Sequence, residues 1–245
     1  MLERIPVPIA GGVNRGRWWN LASAGSGYGS GRRSSVQMRI IASLARAADV
    51  AWDVGAHHGY VTLCLASRVG PTGRVVAFEP SERNRRLLGR HVRWNALANV
   101  SIQPFALGAR DGESRFGGTG TSKMMHLGEG EERVAVRSAE SLIASGACRA
   151  PTLLKIDVEG AEADVLRGAV RILRKDARLL VAMHSREADT QCAAILRAAG
   201  FQCLESRALT ASRSGEWASD PDLFCVGPDD AQGEQDLVRL RDEGF

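Results

Sequence analysis

No run of about 18 apolar residues occurs anywhere in this sequence, so no segment of it reads as a transmembrane helix. The opening stretch, MLERIPVPIAGG, is broken by Glu3 and two prolines, and no signal peptide is expected. Cysteine is sparse and odd in number. Cys64, Cys148, Cys192, Cys203 and Cys225 are widely spaced, lie in apolar segments and form no C-x-x-C pair. That pattern argues against a disulfide framework and against a zinc site. The five read as small core residues of a reducing compartment, and the expected location is the cytoplasm. A strong charge of one sign is lacking too: 32 Lys and Arg against 28 Asp and Glu leave +4, too little by itself to imply a nucleic-acid binder.

What is there suits one large domain: 245 residues, 44% of them hydrophobic. The charge is unevenly spread. Seven Arg face only Glu3 and Asp49 between Met1 and Val50, whereas Asp229 to Phe245 carries six acids against Arg239 and Arg241. Two solvated ends explain this most simply. Residues 1–35 are interrupted by glycines and anchored by Trp18, Trp19 and Tyr28. They read as an arm or lid, with a short helix near Trp18.

From Val36 to Ala48 the apolar positions fall at helical spacing. Short apolar runs then follow at Val50–Val54, Val75–Phe78, Val100–Gln103, Leu153–Ile156, Leu179–Met183 and Leu223–Val226. Helical patterns lie between several of them, at Val61–Val69, Glu82–Asn95, Ala161–Leu173 and Ala188–Ala199. This alternation implies right-handed crossovers and a doubly wound α/β domain with a mainly parallel sheet. Strands that are apolar throughout fit a sheet covered by helices on both faces. Residues 109–137 read as an insertion holding a weak hairpin, Ser114–Phe116 with Arg133–Val136. Leu204–Val226 shows no helix and closes the sheet with an antiparallel strand. The expected organisation is an arm (1–35), a catalytic domain (36–228) and an acidic tail (229–245).

The turn Asp53-Val-Gly-Ala-His-His-Gly59-Tyr60 follows the first strand and opens the first helix, the place where a doubly wound sheet binds ligands. Gly55 and Gly59 permit sharp turning and close backbone approach. Helix–strand packing alone is the plain alternative. Glu79, however, closes the next strand 20 residues past Gly59, the separation at which a strand-end carboxylate receives ribose hydroxyls. A ligand containing a nucleoside follows. A pyrophosphate would be repelled by Asp53, whereas an α-ammonium group would be welcomed. These residues therefore favour S-adenosylmethionine over a nicotinamide dinucleotide.

The fourth strand runs into Asp157-Val-Glu159. In an extended conformation Lys155, Asp157 and Glu159 point the same way and gather three ionisable groups at the ligand edge. Helix capping with a salt bridge to Lys155 accounts for one carboxylate better than for two. The fifth strand ends in His184, whose imidazole suits uptake of a hydroxyl proton, although a lone histidine is often structural. The two carboxylates also admit a divalent cation without favouring one, and no metal ligands are assigned.

These strings resemble the FkbM family of S-adenosylmethionine-dependent methyltransferases. The resemblance is carried by Asp53-Val-Gly-Ala-His-His-Gly59-Tyr60-Val-Thr62, Ala77-Phe-Glu-Pro80, Phe105-Ala-Leu-Gly108 and above all Leu154-Lys-Ile-Asp-Val-Glu-Gly-Ala-Glu162, and it runs from about Asp49 to His184. It implies a class I fold with a seven-stranded Rossmann-like sheet, and methyl transfer usually to a hydroxyl of a sugar or secondary metabolite. Carried over, Asp53, Gly55 and Gly59 would hold the methionine part, Glu79 the ribose, and Phe105 and Ala106 would border the adenine, with Ala56, His57, Tyr60 and Pro80 among the further cofactor contacts. Asp157 would lie near the methyl group. His57 stands where the family usually has Asn, Ala139-Glu140 where it usually has Leu-Asp, and Ala182 where it usually has Glu, which removes a carboxylate from the active edge.

The expected enzyme is thus an O-methyltransferase acting on a small-molecule hydroxyl, with Asp157 or His184 accepting the proton and Glu159 and Lys155 orienting the acceptor. A nucleic-acid or protein methyltransferase and a nucleotide-dependent oxidoreductase are the alternatives. No membrane partner and no nucleic acid is expected, and exchange of the glycine-rich arm would make a homo-oligomer.

Overall fold

The computed structural model describes residues 2–23, 27–31, 35–117, 126–128, 130–205 and 222–243. Seven strands form one mostly parallel sheet, so the α/β class read from the alternation is the class observed. The chain divides into two compact units, Met1–Pro104 and Phe105–Phe245.

The first unit opens with a short antiparallel pair, β1 (Pro6–Pro8) and β2 (Trp18–Asn20), and a helical turn, α1 (Leu21–Ser23). Then come α2 (Ser35–Leu44), β3 (Val50–Val54), α3 (Tyr60–Val69), β4 (Arg74–Phe78), α4 (Glu82–Trp94) and β5 (Val100–Gln103). The strands β3, β4 and β5 are parallel, with Asp53 opposite Ala77 and Val54 opposite Phe78. Every residue of β3 is buried, as a central parallel strand requires. Ser81 caps α4 by accepting from the Asn84 N–H.

The second unit contains a four-stranded sheet ordered β6 (Ala106–Leu107), β9 (Glu132–Arg137), β7 (Gly112–Gly117), β8 (His126–Leu127). The expected hairpin is its centre: β7 and β9 pair antiparallel with Arg115 opposite Arg133. Helix α5 (Ala139–Ala144) follows, capped by Ser138. Next are β10 (Leu153–Ile156), α6 (Glu162–Arg167), β11 (Arg178–Ala182), α7 (Arg186–Ala198), β12 (Gln202–Glu205), β13 (Asp222–Val226) and α8 (Ala231–Glu243). The strands β10 and β11 are parallel, and β13 is antiparallel to both β11 and β12. The strand order is β3-β4-β5 within the first unit and β12-β13-β11-β10 within the second.

Four details depart from the sequence reading. Trp18 and Trp19 themselves lie on a strand, and the short helix expected near them is only the turn α1 that follows; Trp19 is fully buried while Trp18 is 44% exposed. The helical pattern at 161–173 breaks at Gly168, where a side chain would collide with the Gly108 backbone, and resumes as a 3-10 turn, Val170–Ile172. The acidic end at 229–245 contains α8. Asp230 starts it by accepting from the Gly233 N–H at 3.0 Å, and it lies 3.5 Å from Arg178 with both side chains buried. Cys203 and Cys225 stand opposite each other in the β12–β13 register, their Cα atoms 4.1 Å apart, and are joined as a disulfide. The reading of five free thiols is corrected accordingly; the juxtaposition comes from strand pairing across 22 residues, which spacing does not reveal. The expectation of no helix within 204–226 falls mostly on 206–221, outside the described residues, as does the insertion's tip at 118–125.

The arm is tied down at one histidine. His91, on α4, donates from Nδ1 to the His58 carbonyl at 2.7 Å, and its Nε2 accepts from the Asn20 backbone N–H at 3.2 Å and side-chain amide at 2.9 Å. Its ring stacks on Trp19, centroids 3.8 Å apart. This pattern needs the neutral ring, because a second ring N–H would face two donors. Burial accordingly lowers its pKa to about 4, with the charges of His58 and Arg90 adding to the effect and the bond to His58 opposing it. The unfolded chain would take up a proton that the folded chain refuses between the ordinary value of 6.5 and about 4, so stability must fall as pH falls through that window. Thermal melting should register a loss on the order of 3 kcal/mol from pH 7 to 4 through this group. The His91→Gln variant, weaker at neutral pH, should show a flatter profile, and an equally steep one would contradict the assignment.

Candidate active site

In the first unit the β3 turn is clamped to the end of β4. The Gly55 and Ala56 N–H groups both donate to the Phe78 carbonyl at 3.0 Å, and the His57 N–H donates to Glu79 Oε2 at 2.7 Å. The other oxygen of Glu79 accepts from the Ser81 N–H at 2.9 Å and from the Asn84 amide at 3.3 Å. Glu79 is nearly fully buried, and its carboxylate is held by donors before any ligand arrives. Asp53, completely buried, accepts from the Thr62 hydroxyl at 2.6 Å. Pro80 is followed directly by the Ser81 cap, and its carbonyl accepts from Arg85.

The backbone of this turn is unusual where the sequence reading placed ligand contacts. Gly55 has φ +77° and Gly59 has φ +91°, both left-handed. A side chain at Gly59 would also run into Leu88. His57 has φ +50°, a region that Asn, Asp and His enter more readily than other non-glycine residues. The departure from Asn at this position therefore preserves the one backbone property the turn demands. Tyr60, opening α3, turns its ring to the arm: it packs edge-on against Trp19, centroids 5.6 Å apart, and beside Tyr28. Burial first, then Cys64 and Tyr28, raise its pKa, while Asn14 works the other way. The Asn14 amide donates to the Tyr60 carbonyl at 2.8 Å, so the arm braces the turn from outside.

In the second unit the ends of β10 and β11 bring four of the predicted residues together. His184 Nε2 lies 3.5 Å from Asp157 Oδ1 and 3.4 Å from Glu159 Oε2. Lys155, almost fully buried, places Nζ 3.6 Å from Asp157 Oδ2. Glu159 has φ +55°, so it reaches the group through a left-handed turn, not along an extended strand. Phe105 and Ala106 also belong to this unit, where Ala106 pairs with Val136.

The residue that sequence reasoning missed is Glu162. Completely buried at the start of α6, it accepts His184 Nδ1 at 2.9 Å and the Val158 and Gly160 N–H groups at 3.1 Å. Burial opposes its charge; the His184 hydrogen bond and charge and the backbone donors outweigh burial and lower its pKa. For His184, burial likewise opposes the charged form, but the bond to Glu162 and the charges of Glu162, Asp157 and Glu159 carry its pKa up to about 9. The only signal for Glu162 in the sequence was its place in the motif Asp157-Val-Glu-Gly-Ala-Glu162.

A parallel sheet whose strand ends carry this turn and this cluster has the features of a class I methyltransferase. The family model described as Methyltransferase FkbM domain matches residues 53–203, well over half of the chain, and the chain belongs to that family of S-adenosylmethionine-dependent methyltransferases. A hexuronic acid methyltransferase, AglP, of Haloferax volcanii is 29% identical over 161 residues, covering 60% of this chain and 61% of its own. Among solved structures, the methyltransferase FkbM from Methylobacillus flagellatus KT is similar with a TM-score of 0.51 and 21% identity, over 73% of this chain and 43% of that one. The O-methyltransferase TomG of Streptomyces achromogenes, solved in complex with SAM, gives 0.55 and 13% over 84% and 86%. At these identities the likeness to solved structures is one of fold. The chain thus spans less than two thirds of the length of AglP and of the Methylobacillus protein. No helix of the described residues is long and apolar enough to cross a membrane.

If the left-handed backbone is what position 57 requires, His57→Asn should bind S-adenosylhomocysteine within about twofold of the parent, while His57→Val should lose about tenfold or more, β-branched residues being strained there. Isothermal titration distinguishes the two, and equal affinities would overturn the explanation.

Proposed function

We propose that this domain transfers the methyl group of S-adenosylmethionine to a hydroxyl of a small, sugar-like acceptor. The observation that carries the reading is the cluster at the ends of β10 and β11, where an imidazole nitrogen faces two carboxylates and is aimed by a third, buried one. Near neutral pH, with the ring protonated because its pKa is carried up to about 9, the Asp157 carboxylate beside it is the group equipped to draw a proton from a hydroxyl, and above that pH the imidazole itself can do so. The name of the Haloferax relative supports a sugar acid as acceptor.

The residues of the first unit fit the cofactor. The Glu79 carboxylate, fixed at the end of β4 by the His57, Ser81 and Asn84 donors, is the group proposed to accept from a ribose hydroxyl. Gly55 and Gly59 admit close approach of the methionine part to the backbone, beside the acid at Asp53, and Phe105 and Ala106 are proposed to border the adenine. When bound, S-adenosylmethionine supplies an electrophilic methyl group. Asp157 and His184 draw off the acceptor's proton, Glu159 orients the acceptor, and Lys155 holds the far oxygen of Asp157 so that the near one faces the imidazole.

Asp157→Asn and His184→Ala should each lower turnover by about a hundredfold or more, with S-adenosylhomocysteine affinity retained. Methyl transfer to hexuronic acids and their glycosides, followed with labelled cofactor, provides the assay. Full activity in both variants would reject the roles given to these residues.

A further inference from the structure

The geometry of the β10–β11 cluster points to a divalent cation site made of Asp157, Glu159 and His184, and we propose that these three side chains hold one ion. The inference rests on the reading that this cluster faces the acceptor, and it sharpens how the cluster would act there.

Three observations within the second unit lead to it. First, the three ligand atoms lie within 4.8 Å of one another, and His184 Nε2 stands 3.5 and 3.4 Å from the carboxylate oxygens. Those separations are long for N–H···O hydrogen bonds. They are the span expected of donors arranged around a shared centre at about 2.1 Å, which tetrahedral geometry places roughly 3.4 Å apart. Second, the other ring nitrogen is fixed: Nδ1 is bonded to Glu162 at 2.9 Å, and Glu162 is itself completely buried and held by the Val158 and Gly160 N–H groups. A carboxylate behind the imidazole holds Nδ1 as the donor and raises the ring's basicity, leaving Nε2 as the nitrogen that an ion would take in place of its proton, the arrangement found behind metal-bound histidines. Third, the outer side of Asp157 is already engaged. Lys155 lies 3.6 Å from Oδ2, so Oδ1 is the oxygen turned to the cluster.

Two carboxylates and an imidazole whose Nε2 proton the ion displaces carry a charge of −2, which a divalent ion balances. The mixed oxygen and nitrogen set suits manganese or zinc better than calcium, and three protein donors leave positions open for acceptor oxygens. An acceptor hydroxyl bound there would lose its proton to solvent more easily, because the ion stabilises the alkoxide. A sugar acid, which offers a hydroxyl next to a carboxylate, is the acceptor chemistry such open positions would chelate.

The test is Mn2+ binding to the intact chain after dialysis against chelator, read from the loss of the free-ion electron paramagnetic resonance signal. The expected result is one saturable ion per chain, weakened about tenfold or more in Asp157→Asn, Glu159→Gln and His184→Ala. Glu162→Gln, which keeps the three ligands but removes the charge behind the ring, should weaken it less than His184→Ala does. Melting temperature measured on each variant separates loss of the site from loss of the fold. Binding of Mn2+ without methylation of any offered acceptor would uphold the site while the activity reading failed. No saturable binding by the parent chain, or binding that all the folded variants leave unchanged, would overturn the site even if methyl transfer proceeds in chelator.

Discussion

A strand buried on both faces presents ionisable chemistry most readily where it ends, and that constraint places most of the candidate site's residues. The residues of β3, β10 and β11 are buried throughout. Charged groups on their faces would be stranded away from water unless fully partnered. Asp53 therefore sits next to last in β3 with a hydroxyl to accept from, Glu79 follows β4, Asp157 follows β10 and His184 comes two residues after β11. The apolar runs that make the sheet are the same feature that concentrates the chemistry at its ends.

In each unit one buried polar residue organises those ends. In the first it is Glu79, which ties the β3 turn to the start of α4 through the His57 and Ser81 N–H groups. In the second it is Glu162, which collects two backbone donors and the His184 ring. Both are carboxylates whose burial is offset by converging N–H donors, the condition under which a buried charge becomes an asset to positioning. The arm adds a further brace to the first unit, with His91 joining Asn20 to the His58 carbonyl.

Much of this was legible in the sequence, and the reasons are specific. The strands at 50–54 and 153–156 were found to the residue because they are short, mostly apolar runs of strand length, and 100–103 because Val100 and Ile102 alternate with Ser101 and Gln103. The strand-end acids were legible because their positions relative to those runs are local. Contacts across long separations were not. Nothing near Glu162 in sequence announces His184, which comes 22 residues later on the next strand, and nothing near Trp19 announces His91. The pairing of Cys203 with Cys225 is of the same kind, a consequence of register. Helix α8 escaped because its acids suggested a solvated tail, whereas Asp230 is buried against Arg178. The family resemblance ran from about Asp49 to His184, and the family match spans 53–203, so the arm and the C-terminal end remained the least readable parts.

The central claim is that the first unit receives a nucleoside through the carboxylate that closes β4, and that the nucleoside belongs to S-adenosylmethionine. Isothermal titration of S-adenosylhomocysteine into the parent chain and into Glu79→Ala tests it most directly, with NAD as the competing ligand. The account predicts saturable binding of S-adenosylhomocysteine by the parent, no displacement by NAD, and an affinity lower by about tenfold or more in the variant, consistent with loss of hydrogen bonds to a charged acceptor. Unchanged affinity in a folded Glu79→Ala variant, or binding of NAD in preference to S-adenosylhomocysteine, would contradict it.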